Sequence, residues 1–111
     1  MGNITTINRR NDFNRAYKKG KNFVSSSIIL YVSKNYKKGI RLGITTSKKV
    51  GNAVYRNRAR RVIKESFRQI LPSLTGNFDI VIVARSKTPY LKTQDVKIKM
   101  VSFLKEAGIL K

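Results

Sequence analysis

The run Asp79-Ile80-Val81-Ile82-Val83-Ala84 restricts the fold more than any other part of this 111-residue chain. Its apolar residues are continuous rather than alternating, so a strand built from them buries both faces. Such a strand is central in a sheet and needs cover above and below. The segment from Ala53 to about Leu71 can supply one covering layer. There Ala59, Val62, Ile63, Phe67 and Ile70 recur at steps of three and four and form one apolar stripe of a helix. Gly51-Asn52 breaks the preceding pattern and can cap this helix, and Pro72 ends it.

The remaining elements are shorter. A helix is predicted from near Asn11 to Lys19, with Phe13, Ala16 and Tyr17 on one apolar face and Gly20 as its stop. Residues 22–34 read as strand, with Ile28, Leu30 and Val32 alternating, and are long enough to bend into two strands. After a basic turn, Ile40 to Ser47 reads as another strand, placing Leu42, Ile44 and Thr46 on one face and Arg41, Thr45 and Ser47 on the other. Thr93 can cap a last helix whose buried side holds Val96, Met100, Phe103 or Leu104, and Ala107, and which Gly108 ends. The predicted order is αβββαβα. That is an α+β class, a small sandwich with helices packed on one sheet, as a single domain over residues 1–111.

Charge then narrows the function. The chain has 25 Lys+Arg against 5 Asp+Glu, a formal net charge of +20. Self-repulsion at that density destabilises a compact state, and a polyanionic partner would offset it. From Phe13 to Lys64 there is no acid and there are fifteen Lys or Arg, so the polyanion surface is expected mostly there. With no Cys and no His, disulfide frameworks, Cys/His zinc sites and thiol or imidazole catalysis are excluded. The carboxylates Asp12, Glu65, Asp79, Asp95 and Glu106 are scattered, which argues against an acid-built metal site. No apolar run approaches the roughly 18 residues of a membrane helix.

Two constellations stand out. The first is Ser47-Lys48-Lys49-Val50-Gly51-Asn52-Ala53-Val54-Tyr55-Arg56-Asn57-Arg58-Ala59-Arg60-Arg61-Val62-Ile63-Lys64. Lys48 and Lys49 precede a helix N-terminus, which already favours anions. The arginines follow on that helix's exposed side, where guanidinium forks match phosphate oxygens, and Asn57 can meet a base edge or sugar hydroxyl. A merely solvated face would mix signs to gain i,i+4 pairs, yet Glu65 is the lone acid. The second constellation is aromatic: Phe13 and Tyr17 on one helix face, and Tyr31 opposite Leu30 and Val32. If the first helix crosses the sheet, these and Arg41, Thr45 and Ser47 line a cleft suited to single-stranded RNA. From spacing alone, Phe13 and Tyr17 read as core in preference to a binding surface.

The long motif from Ser47 to Arg61 closely resembles the signature of the bacterial ribonuclease P protein subunit. Asp12-Phe13 with Tyr17-Lys18-Lys19-Gly20, the strand Arg41-Leu42-Gly43-Ile44 and the strand Asp79-Ile80-Val81-Ile82-Val83-Ala84-Arg85 are similar to that family in the same order. The resemblance covers nearly the whole chain. It implies a small basic cofactor of a catalytic RNA, with which the protein removes the 5′ leader from precursor tRNA. The RNA supplies the active site and holds the magnesium, and the protein alone is inactive. It also implies a ribosomal-protein-like domain with a left-handed crossover between parallel strands around helix 53–71, against the usual hand. Carried over residue by residue, Arg56, Asn57, Arg58, Arg60, Arg61, Lys64 and Arg68 are the RNA-subunit side. Phe13, Tyr17, Tyr31, Arg41, Thr45, Ser47, Lys48 and Lys49 are the leader side. Tyr17 stands where an apolar Phe is frequent in the family, so its hydroxyl needs water or a partner. The arm before Asn11 is short and modestly basic and is expected to bind little. The implied setting is a cytoplasmic ribonucleoprotein with no membrane contact and no obligatory protein partner. A structural ribosomal RNA-binding protein is the rival that fits charge and size equally well. A nonspecific DNA-coating protein, the other rival, would lack an aromatic cleft.

Overall fold

A computed structural model describes residues 4–110 of the chain. The elements are β1 (Thr5–Thr6), α1 (Arg10–Lys19), β2 (Lys21–Val24), β3 (Ile28–Lys34), β4 (Ile40–Thr45), α2 (Ala53–Ile70), β5 (Phe78–Ala84) and α3 (Thr93–Glu106). The class is α+β, and the expected order gains one strand at its start. Thr5–Thr6 pairs in parallel with Arg41–Leu42, and the Ile7 N–H donates to the Leu42 carbonyl at 2.9 Å. Two residues carry no readable period, which is why β1 is invisible in the pattern.

The sheet runs β1-β4-β5-β3-β2, so the continuous apolar run lies in the middle as its composition demands. β5 is antiparallel to β3 and parallel to β4. The parallel pair is joined through α2, where the resemblance places the crossover. The segment 22–34 does divide into β2 and β3. Ser25 makes the turn: its hydroxyl oxygen accepts from the N–H groups of Ser27 at 3.2 Å and Ile28 at 3.1 Å.

The two sheet faces are covered unequally. Ile28, Leu30, Leu42, Ile80 and Ile82 point to one face and are buried under α2 and α3. Ala59, Ile63, Phe67 and Ile70 from α2 meet Val96, Met100 and Leu104 from α3 in the same core. Val62, expected in the stripe, is only half-buried at its margin. The other face carries α1 alone, which is 10 residues long and so about 15 Å. It buries Ala16, Ile7 and Val81 but leaves Val83 and Ile29 half-exposed. The expectation that β5 is covered on both faces therefore holds for only part of its length.

Several local stops have causes that pattern alone does not give. Gly20 ends α1 with φ −77°, an ordinary backbone, so left-handed geometry is not the reason. A Cβ there would lie 2.5 Å from the Ala16 carbonyl oxygen and 2.9 Å from that of Val32, so the close approach of helix and strand requires glycine. Thr93 is not the cap of α3 but its first helical residue. Its carbonyl accepts from the Ser66 hydroxyl at 3.0 Å, which ties α3 to α2.

Candidate nucleic-acid interface

α1 divides its sheet face into two flanks. Phe13 and Tyr17, four residues apart, point to the same flank. Phe13 is half-buried because β4 presents Gly43 beneath it: a Cβ on Gly43 would fall 2.6 Å from the Phe13 ring. Tyr17 is 38% exposed. Its ring meets Tyr31 edge-on, with centroids 5.0 Å apart, and lies 6.5 Å from that of Phe13. The Tyr17 hydroxyl donates to Thr45 Oγ1 at 3.4 Å, the partner its polar tip requires. Phe13, Tyr17, Tyr31 and Thr45 are thus brought together. Ile29 and Val83 extend the floor, and Asn22 and Val24 continue it on the exposed edge strand. The sequence reading missed these four. The available signal was an apolar β5 with only one short helix to cover that side.

Past β4, Ser47 leaves the strand and caps a 3-10 turn over Lys48–Val50, its Oγ accepting from the Lys49 N–H at 3.3 Å. Val50 anchors the turn in the core, so Lys48 and Lys49 project outward and are exposed. Gly51 has φ +129°, which L side chains rarely adopt. Asn52 then caps α2, its Oδ1 accepting from Val54 N–H at 3.1 Å and Tyr55 N–H at 3.4 Å. That cap occupies N–H groups that an anion would otherwise find free, so the anion preference here rests on the lysines.

Along α2, Asn57, Arg58, Arg60, Arg61, Lys64 and Arg68 are exposed and Arg56 is half-exposed. Arg60 donates to Asn57 Oδ1 at 3.2 Å. Arg68 pairs with Glu65, which lowers the glutamate's pKa and raises the arginine's through their hydrogen bond. Among the described residues, the other cations of α2 have no carboxylate within ion-pair distance. The face is an unneutralised row of guanidinium groups, as the sequence implies.

Arg41 is the exception in the leader-side set. It lies on the opposite flank of α1, and its guanidinium is already engaged. Nε and Nη2 each donate to the Asp79 carboxylate at 2.7 Å, and Asp12 is 3.6 Å away. Asp79 is fully buried, and Asn35 donates to it at 2.8 Å. Burial opposes ionisation of Asp79, but the hydrogen bonds from Arg41 and Asn35 outweigh it and hold the carboxyl below the usual range. Arg41 is raised in turn, mainly by its hydrogen bond to Asp79. The Arg41 guanidinium is accordingly held in an ion pair, and strand alternation could not reveal the acids that claim it. Among the described residues no three acids gather as a metal cluster would require.

The chain is similar to known proteins over nearly its whole length. The family model described as Ribonuclease P matches residues 1–108. The ribonuclease P protein component of Clostridium botulinum (strain Langeland) is 36% identical over 104 residues, covering 93% of this chain and 94% of the relative. The Staphylococcus aureus RNase P protein structure superposes with a TM-score of 0.83 at 32% identity, covering 98% of this chain and 100% of that one. An S. aureus RNase P protein mutant with defective mRNA degradation activity matches with a TM-score of 0.81 at 34% identity, covering 95% and 89%.

Proposed function

Because the chain belongs to the ribonuclease P protein component family, a participant in tRNA processing with the ribonuclease P RNA as partner, we propose a division of its surface between two RNAs. The α2 row, from Arg56 to Arg68, docks the catalytic RNA. The cleft of Phe13, Tyr17, Tyr31 and Thr45, with Lys48 and Lys49 beyond its end, takes the unpaired 5′ leader of precursor tRNA. The RNA holds the magnesium and performs the cleavage. The protein contributes binding, orientation and screening of phosphate repulsion.

The observation that carries this reading is the uncovered aromatic floor. A sheet face that ends in an exposed Tyr17 edge-to-face with a half-buried Tyr31, with exposed Lys48 and Lys49 following the end of β4, offers ring faces for bases and cations for the backbone. A purely structural ribosomal protein has no need to hold such a face open.

The test is Tyr31→Ala in the assembled holoenzyme. Stacking is worth about 1–3 kcal/mol per base, so affinity for precursor tRNA falls roughly tenfold while affinity for mature tRNA is unchanged. Equal losses for both would show that Tyr31 only supports the fold. Without the catalytic RNA, the protein is expected to leave precursor tRNA uncut at its mature 5′ end. The S. aureus relative linked to mRNA degradation makes an unstructured mRNA the necessary second substrate in that assay. RNA-free cutting of either substrate would overturn the assignment of chemistry to the RNA.

A further inference from the structure

A second aromatic surface, formed by residues other than Phe13, Tyr17 and Tyr31, lies at the start of α2. Tyr90 is 66% exposed and Val54 is 65% exposed. Tyr55 is half-buried beside them, its ring 5.7 Å from that of Tyr90 and tilted by 46°. Tyr90 does not sit on a loose loop. It ends a 3-10 turn, Thr88–Tyr90, pinned by fully buried Thr88. Thr88 Oγ1 accepts from the Arg85 N–H at 2.8 Å and donates to the Ser27 carbonyl at 2.6 Å, and Pro89 beside it is buried. An exposed ring on a rigid mount loses little conformational entropy when something stacks on it.

The surroundings select the class of partner. Arg58 lies four residues after Val54 and three after Tyr55, on the same side of the helix. Lys87 and Lys92 flank Tyr90 in sequence, and no acid occurs from Ile80 to Gln94. The apolar patch itself is three residues wide. A stable protein interface needs about 800 Å² from each partner, far more than this patch presents. One nucleobase needs one flat face with cations nearby for its phosphates.

We propose that Tyr90, backed by Tyr55, is a stacking platform for an unpaired nucleotide of the catalytic RNA. The platform continues the α2 row through Arg58 and rests on the reading that α2 faces that RNA. It adds a contact of a different kind, one that anchors the N-terminal end of the helix through ring stacking rather than charge.

That difference is measurable. Binding of the full chain to the catalytic RNA is titrated across a range of salt concentrations for wild type, Tyr90→Ala, Tyr90→Trp and Arg58→Ala. The expected result is a loss of fivefold or more for Tyr90→Ala at every salt concentration, with the log–log salt slope unchanged and wild-type thermal stability. Tyr90→Trp restores the affinity. Arg58→Ala instead makes the slope shallower, by about 0.7 to 0.9. Wild-type affinity in Tyr90→Ala overturns the platform, and if Arg58→Ala still lowers the slope, the α2 reading survives. Unchanged binding in both variants overturns the two together. Unchanged RNA affinity in Tyr90→Ala with lost self-association would assign the patch to a second copy of the chain and equally overturn the proposal.

Discussion

Replacing Arg41 separates a structural role from a ligand-binding one. Arg41→Ala removes both 2.7 Å hydrogen bonds to Asp79 and the 3.6 Å contact to Asp12. Asp79 is left fully buried with Asn35 as its remaining side-chain donor. Orphaning one partner of a buried pair costs about 3–5 kcal/mol. A domain of this size has about 5–15 kcal/mol in total, so the variant approaches the edge of folding. At about 4 °C per kcal/mol the melting temperature falls by roughly 12–20 °C. Arg41→Met combined with Asp79→Leu removes both charges and keeps the volume, and it regains most of the loss because neither group is left unpaired. Urea melts of wild type, Arg41→Met, Asp79→Leu and the double variant give the coupling energy. Arg41→Ala folding as stably as wild type while binding precursor tRNA less tightly would refute the argument and return Arg41 to the leader surface.

The other expectations concern the α2 row, acid and Gly43. Arg60→Ala or Arg61→Ala lowers affinity for the catalytic RNA and makes its salt slope shallower by about 0.7 to 0.9 per contact, with stability changed by under about 0.5 kcal/mol; normal binding with a much lower melting point would make these residues structural. Asp79 is held below its unfolded pKa of about 4, so the stability it contributes is present above that pH and is lost as pH falls through the folded value. Urea melts from pH 7 to pH 2.5 should therefore show a fall below about pH 4 that is shallower in the Arg41→Met/Asp79→Leu double variant, which keeps all but one of the 25 Lys and Arg and so shares the growing repulsion; parallel curves would remove Asp79 from the explanation. Gly43→Val drives a side chain into the Phe13 ring, costs about 1–3 kcal/mol and weakens leader binding as α1 lifts, read by melts and by precursor-tRNA affinity; unchanged values of both would contradict the close approach.

How much was legible beforehand depended on period and length. The α2 stripe and the β5 run are long enough for their periods to speak, and both stand where the pattern puts them. The Gly51-Asn52 cap was readable because capping is local chemistry. Thr5–Thr6 was not, because two residues have no period, and Ile7 gains its burial in a cluster with Ala16 and the distant Val81. The aromatic cleft was half legible. Alternation put Tyr31 on the right face, but whether Phe13 and Tyr17 were core or surface turned on the width of the cover, which spacing does not report. The answer is divided: Ala16 takes the buried position, Phe13 sits over Gly43, and Tyr17 stands at the rim. The ion pair of Arg41 was not legible, because alternation assigns a face without naming what waits there. Its acid partner is 38 residues away in sequence, and the register of β4 against β5 sets the two side by side.

The placement of the few acids explains how so basic a chain can fold and still present an unneutralised surface. Asp79 and Asp12 are both buried on the α1 side of the sheet, where they neutralise Arg41 and touch Arg15. Glu65 pairs with Arg68 within the last two turns of α2. None of these lies between Arg56 and Lys64 or beside Lys48 and Lys49, so their partners are cations near the sheet or toward the C-terminal end of α2. Had the same acids been spread along the first turns of α2, i,i+4 pairs would have stabilised the free protein by a few tenths of a kcal/mol each. Each such pair would also have competed with a phosphate for its arginine. The observed arrangement gives up that stability and leaves the α2 charges unneutralised, as the proposed docking of the catalytic RNA requires. It also makes the free protein's stability depend on salt: added electrolyte screens the repulsion along α2 while weakening RNA binding, so the two quantities should move in opposite directions over the same salt range.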